Sequence, residues 1–125
     1  MESLSRLGIG CWQFGDMGSE VVSESVAEEV IGTALAAGVN HFDSAQDYGA
    51  GRSESVVGRI LANRSEAFVA TKMKLAGRED TLAAVQSSRN RLRRDCIDLF
   101  YIHWPQQGRD PGPMIIREEA VRTSL

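Results

Sequence analysis

Three apolar runs in this chain end in the same way. Residues 39–42 run into Asp43, residues 67–71 into Lys72, and residues 97–102 into His103. The segments between them carry apolar residues at a helical period. Short apolar runs bounded by turn residues read as buried strands. Strands that alternate with helices call for a parallel sheet, because a crossover helix must carry the chain back to the same end. Right-handed crossovers then align the strand ends along one edge. A carboxylate, an ammonium and an imidazole are thereby placed along the C-terminal edge of one sheet, where β/α barrels keep their chemistry.

An earlier run, residues 7–12, reads as a first strand. Its glycines weaken strand propensity and let a backbone or ligand approach closely. Residues 13–19, with Gly15 and Gly18, read as a loop. The first helix carries Val22, Val26, Val30 and Ala34 in one row and Ala27, Ile31 and Leu35 in the next, which makes one broad apolar face. Ser23 or Ser25 can cap it, the latter through a Ser25-x-x-Glu28 capping box, and Gly38 can close it. The second helix is expected behind the turn Gly49-Ala50-Gly51-Arg52, with Ser53 as cap and Val56, Val57, Ile60 and Leu61 as its stripe. The third is expected to open at Asp80 or Thr81. Leu82, Val85 and Leu92 lie on one side of it. Arg89, Arg91, Arg93 and Arg94 load its other faces and its C-terminal end, where the macrodipole favours cations. The fourth strand is read as residues 96–102. From residue 106, Gly108, Pro111, Gly112 and Pro113 force a loop, and residues 114–125 offer one weakly patterned helix.

A length of 125 residues is ample for one domain. The net charge of −3 lacks the basic footprint of a nucleic-acid binder. No apolar run approaches the roughly 18 residues of a membrane span, and Met1-Glu2-Ser3-Leu4-Ser5-Arg6 has no apolar secretory segment. Neither a nucleic-acid nor a membrane partner is expected. Cys11 and Cys96 form no metal or redox motif and read as buried structural thiols in a reducing cytoplasm.

Four residue types stand out: Asp43, Tyr48, Lys72 and His103. A phenol in water ionises near about pH 10, and a neighbouring ammonium stabilises its phenolate. A carboxylate paired with the ammonium keeps it charged and in place. An imidazole can orient a carbonyl oxygen or help relay a proton. Converging, these groups make a proton donor for a carbonyl that accepts a hydride. Taken singly, each is more often a solvated polar residue at a strand end. Their positions at the ends of three successive strands outweigh that reading. Lys74 is a second lysine in reach of the same role. Gly49-Ala50-Gly51 lacks the Gly-Lys-Ser/Thr ending of a phosphate loop. His41 and Asp98 read as structural, with Asp98 paired to a basic helix residue.

The order and spacing of these residues resemble the aldo-keto reductase family. Asp43-Ser44-Ala45-x-x-Tyr48-Gly49 is similar to its D-T-A-x-x-Y-G motif, with Ser for Thr. Val69-Ala70-Thr71-Lys72 resembles the strand that ends in the family's lysine. Residues 97–105 are close to I-D-L-x-x-I-H-W-P, residues 7–12 to L-G-L-G-T-W, and Gly51-Arg52-Ser53-Glu54 to a common form after the tyrosine. The resemblance implies a (β/α)8 TIM-barrel fold and NADPH-dependent reduction of a small-molecule carbonyl substrate, an aldehyde or ketone. It implies Tyr48 as general acid, Lys72 and Asp43 as its tuning pair, and His103 as the residue that orients substrate or assists proton transfer; Lys72, not Lys74, matches the motif. Gly10, Cys11 and Trp12, with Asp43, would line the cofactor, and Trp12, Tyr48, His103 and Trp104 the substrate pocket. No metal is implied.

A whole barrel of this kind has eight strands and about 250 residues. Here four βα units are expected, as a half-barrel: residues 1–105 would be the N-terminal half and residues 106–125 a non-matching tail, as a truncation, frame shift or fragment would leave. In the family the cofactor's amide and adenosine-phosphate ends are held largely by later strands. Parallel sheets are normally covered on both faces. A half-barrel leaves one face and two strand edges open, and such a surface favours self-association. The second reading is therefore a non-catalytic half-barrel, or a regulatory relative that folds only by association.

Overall fold

The computed structural model describes residues 4–16, 18, 22–74 and 76–103. Strands β1 (Gly8–Gly10), β2 (His41–Asp43), β3 (Phe68–Met73) and β4 (Leu99–Ile102) form one parallel sheet in sequence order. The crossovers are α1 (Glu24–Ala36), α2 (Arg52–Leu61) and α3 (Arg78–Leu92), and a 3₁₀ turn, Trp12–Gly15, follows β1. The expected β-α-β-α-β-α-β order is present. Trp104 and the tail from residue 106 lie outside the described residues.

Register decides which side chains share a face. Ile9, Phe42 and Val69 form one row. Phe42 and Val69 are fully buried against Ile31 of α1, Val57 and Leu61 of α2, and Leu92 of α3. This is the core, and truncating Ile31 or Leu61 to Ala would cost about 2–5 kcal/mol. The next row is Gly10, Asp43, Ala70 and Leu99. Side chains alternate along a strand, so this row faces away from the helices. Lys72 and Tyr101 pair two residues further on and share its face. Leu99 and Tyr101 remain 37% and 41% exposed there.

The strands are shorter than the apolar runs, with one exception. β4 starts at Leu99 rather than Cys96, because the Asp98 carboxylate takes the Val69 N–H at 2.8 Å in place of a ladder carbonyl. Asp98 also pairs with Arg94 at 3.5 Å, so its structural role holds. Residues 94–98 are then loop, and Cys96 is exposed while Cys11 is buried; the expectation of two buried thiols holds for Cys11 alone. β3 is the exception and runs on to Met73, so Lys72 lies inside the strand instead of just past it.

The helix ends differ in detail from the expected caps. Ser23, not Ser25, caps α1 by accepting from the Val26 N–H. At the other end Gly38 sits at φ 79, with Gly38 N–H donating to Leu35 and Val39 N–H to Ala34. This left-handed turn satisfies carbonyls the helix would leave open. The apolar face of α1 is narrower than the sequence suggests. Ala27, Ile31 and Ala34 are buried, whereas Val26 and Val30, from the row that ends in Ala34, are 47% and 40% exposed. Ser53 does not cap α2: Gly51 holds that position, and the buried Ser53 hydroxyl donates to the Cys11 carbonyl at 2.7 Å. α3 opens at Arg78 behind Gly77, with Glu79 and Asp80 in its first turn. Arg91 turns inward from α3 to the fully buried Glu54, with Nε to Oε2 at 2.6 Å. No described helix is long and apolar enough to cross a membrane.

Candidate active site

The site begins with the pleat of β3. Asp43 pairs with Ala70, and Lys72 follows Ala70 by two residues, so the two charged side chains point to the same side. Lys72 Nζ lies 3.0 and 2.9 Å from the two Asp43 carboxylate oxygens and 2.7 Å from the Ser44 carbonyl. Three protons thus meet three acceptors, which a mostly buried ammonium requires. Lys72 is 12% exposed, while Asp43 keeps 39%. The acid is open to the mouth of the sheet and the lysine is recessed behind it.

Tyr48 arrives on the loop after β2. The Lys72 Nζ stands 4.8 Å from its ring centroid, within the reach of a cation–π contact. His103 meets the same ring edge-on, with centroids 5.8 Å apart and planes at 86°. The loop is fixed on three sides. Gln46 N–H donates to the Lys72 carbonyl at 3.0 Å, and its side-chain amide donates to Ala84 O and Ser88 Oγ of α3 at 2.8 and 2.7 Å. Gly49, at φ 61, meets Gly15 backbone to backbone: a Cβ on Gly49 would lie 2.1 Å from the Gly15 carbonyl oxygen, and one on Gly15 would lie 2.5 Å from the Tyr48 carbonyl carbon. Only glycine permits so close an approach in that conformation. Arg52 locks the contact from behind, donating to the Phe14 carbonyl and to the Val22 carbonyl at 3.3 Å, and pairing with Asp16 at 2.8 Å.

His103 closes the site from the end of β4, where its backbone N–H donates to the Met73 carbonyl at 2.6 Å. Its side chain is 15% exposed, and Nδ1 lies 3.7 Å from Asp47 Oδ2. Burial, then the Lys72 charge, hold its pKa below the ordinary 6.5, against the opposing charge of Asp47. Lys74 is 74% exposed and pairs with Asp47 at 3.3 Å. The lysine beside Asp43 and Tyr48 is therefore Lys72.

The end of β1 supplies open space. A Cβ on Gly10 would meet nothing within 4 Å, and Trp12 is 40% exposed. Cys11 differs from the expected cofactor-lining role, because its thiol is fully buried in the core. Burial, with the Asp43 charge, pushes that thiol up to about 12. Only the Cys11 backbone joins the site, with its N–H donating to the Asp43 carbonyl at 2.8 Å. Trp104 lies outside the described residues. Gly15, Gln46, Asp47 and Arg52 are the positions that sequence reasoning passed over. Gln46 and Asp47 fall on the variable positions of the Asp43–Tyr48 motif, so the only signal was their place between two motif residues. The assembled groups form a phenol beside a carboxylate-held ammonium, with an imidazole at its other edge: an arrangement suited to giving up a proton.

The sequence profile of the Aldo/keto reductase family matches residues 6–122. The aldo-keto reductase YhdN of Bacillus subtilis is 34% identical over 114 aligned positions, covering 81% of this chain and 34% of the relative. An aldo-keto reductase of a Mycobacterium species is 36% identical over 109 positions, covering 82% of this chain and 36% of its own. The chain thus spans about a third of the length of the curated relatives it matches. Among solved structures, the glycerol dehydrogenase AKR11B4 of Gluconobacter oxydans superposes with a TM-score of 0.70 at 35% identity, covering 83% of this chain and 37% of that one. The parallel sheet and its three crossovers are four strands' worth of the (β/α)8 barrel, a half-barrel. The chain belongs to the aldo/keto reductase family.

Proposed function

We propose that the protein is an NADPH-dependent oxidoreductase that reduces an aldehyde or ketone to an alcohol, with Tyr48 as the general acid. The observation that carries this reading is the Lys72 ammonium, which touches the Asp43 carboxylate and faces the Tyr48 ring at once. A flat nicotinamide needs open surface beside the acid, and the space over Gly10 next to the exposed Trp12 fits one. When bound there, NADPH would supply a hydride to the carbonyl carbon. Tyr48 gives its hydroxyl proton to the carbonyl oxygen, so the carbonyl becomes an alcohol. Lys72 stabilises the phenolate left behind, until solvent returns a proton. Asp43 keeps Lys72 charged and aimed, and His103 holds the carbonyl oxygen in place. Trp12 serves as a wall of the substrate pocket. Adding NADPH and a reactive aldehyde to the purified protein and following absorbance at the nicotinamide band tests the reading. Aldehyde-dependent loss of NADPH that disappears in Tyr48→Phe is the expected result; no binding and no loss would remove it.

The face that carries Asp43 and Lys72 also carries the exposed Leu99 and Tyr101. It is the surface through which the 125-residue chain on its own would self-associate. Sedimentation velocity over a concentration series tests this, and a concentration-independent monomer rejects it.

A further inference from the structure

We propose that Arg52 is a positioning residue of this site: its guanidinium clasps the turn that carries Trp12 against the loop that carries Tyr48, and so fixes where the indole stands beside the phenol. The place of this charge calls for a reason. Arg52 is the first residue of α2, where the helix macrodipole disfavours a cation. Its side chain leaves the helix and gives all three of its nitrogens to the segment after β1. Nε pairs with Asp16 Oδ2 at 2.8 Å. Nη1 donates to the Phe14 carbonyl, and Nη2 donates to the Val22 carbonyl at 3.3 Å. A planar fork can hold several acceptors in fixed directions at once, whereas an ammonium is a single point.

The next residue grips the other end of the same turn. The Ser53 hydroxyl donates at 2.7 Å to the carbonyl of Cys11, the residue before Trp12. The Trp12–Gly15 turn is thus held at its start by Ser53 and at its end by Arg52, from consecutive positions of α2. The turn has little stiffness of its own. Its backbone bonds, Phe14 N–H to Cys11 O and Asp16 N–H to Gln13 O, are each 3.2 Å, and 3₁₀ geometry makes such bonds poor. The same two residues also fix the opposite wall: Ser53 N–H donates to the Tyr48 carbonyl at 3.2 Å, and Arg52 N–H to the Gly49 carbonyl at 3.0 Å. The first turn of α2 therefore places the indole and the phenol relative to each other. Its bearing on substrate rests on the function proposed above, but the placing of Trp12 does not.

The chain contains two tryptophans, so in a Trp104→Phe background the indole fluorescence is that of Trp12, and acrylamide quenching reads its exposure without turnover. In Arg52→Met the quenching constant should rise by up to about twofold, the room left to an indole already 40% exposed. Arg52→Lys keeps the charge beside Asp16 but lacks the fork; its constant should rise as well, and it decides the matter if the methionine variant does not fold. Arg59→Met is the control. That arginine of the same helix pairs with Glu24 of α1 at 2.5 Å, and its loss should leave the quenching where it is. A role in stability alone would lower the unfolding midpoint and leave Trp12 of the folded protein as shielded as before. With both tryptophans in place, aldehyde reduction by Arg52→Lys should show KM raised about tenfold and kcat within about threefold, because the sheet holds Asp43 and Lys72. Quenching that stays at the parent value in Arg52→Lys, failure of that variant to fold, or a loss confined to kcat overturns the proposal. If the parent itself turns over no aldehyde, the function proposed above falls, and the quenching alone decides the clasp.

Discussion

Thr71 and Lys72 are consecutive on β3, point to opposite faces, and both end on a carboxylate. On the helix side, the Thr71 hydroxyl donates to Glu54 at 2.7 Å, and Arg91 closes the other oxygen at 2.6 Å. Glu54 is fully buried there. On the open side, Lys72 bridges Asp43 and the Ser44 carbonyl, and Asp43 stays 39% exposed. The chemistry is alike and the surroundings differ. Glu54 has a partner for each oxygen and no exposed surface, so it holds α2, β3 and α3 together. Asp43 shares its lysine with the Tyr48 ring and faces the mouth, so the same kind of pair can act on something that arrives. A buried ion pair is thus structural or functional according to what its unsatisfied side meets.

The largest expected effect lies on the open side. Tyr48→Phe removes the transferable proton, and kcat for carbonyl reduction should fall about 10²–10⁴-fold with the unfolding midpoint nearly unchanged. Steady-state kinetics beside a urea titration would show both. Unchanged kcat would leave the open-side cluster without its proposed acid.

Next comes the helix side. Glu54→Ala strands Arg91 and the Thr71 hydroxyl, and should destabilise the fold by about 3 kcal/mol. That is the low end for a broken buried pair, because Arg91 keeps 30% exposure and can rehydrate. Lys72→Met, by contrast, should cost about 1–2 kcal/mol, since Asp43 is already partly in water. Urea unfolding of the two variants compares the faces directly. Equal losses would mean that the open-side pair is as structural as its neighbour.

Much of this fold was legible because it rests on period and punctuation. The alternation of apolar runs with helical stripes pointed to the succession of elements and to a parallel sheet, and Gly38 marked the end of α1. Asp43, Tyr48, Lys72 and His103 were legible as neighbours because each lies at, near or just after the end of a strand, Lys72 one residue before the end of β3. What stayed hidden depends on contacts between distant segments. Nothing local says that Ser53 reaches the Cys11 carbonyl, that Arg91 leaves its row of arginines for Glu54, or that Gln46 crosses to α3. Cys96 was misjudged for the same reason: whether a thiol beside a strand is covered depends on what packs over it, and this one is exposed. The apolar rows of α1 were overcounted because a period shows which residues could be buried, not how many the sheet will cover.

A third test asks whether the open side depends on exact backbone placement. Gly49→Ala sets a Cβ against the Gly15 carbonyl in a left-handed conformation, and should cost at least about 2 kcal/mol while displacing Tyr48. Gly38→Ala shares the positive φ but meets open space, so it should cost about 1 kcal/mol and leave activity intact. Thermal unfolding and kcat measured together separate strain alone from strain that moves the acid.

The smallest expected effect is a slope. Burial and Lys72 hold the folded-state pKa of His103 below 6.5, so below that pH the unfolded chain binds more protons than the folded one. Stability should then rise with pH through the window just under 6.5, and should be lost as pH falls toward the lower, folded-state value. His103→Gln should remove this part of the slope, because glutamine does not titrate. Urea unfolding at several pH values on either side of 6.5, for the protein and the variant, measures the difference. An unchanged slope would mean that His103 feels neither its burial nor Lys72, and the cluster at the mouth would then be no more electrostatically coupled than the residues of an ordinary surface.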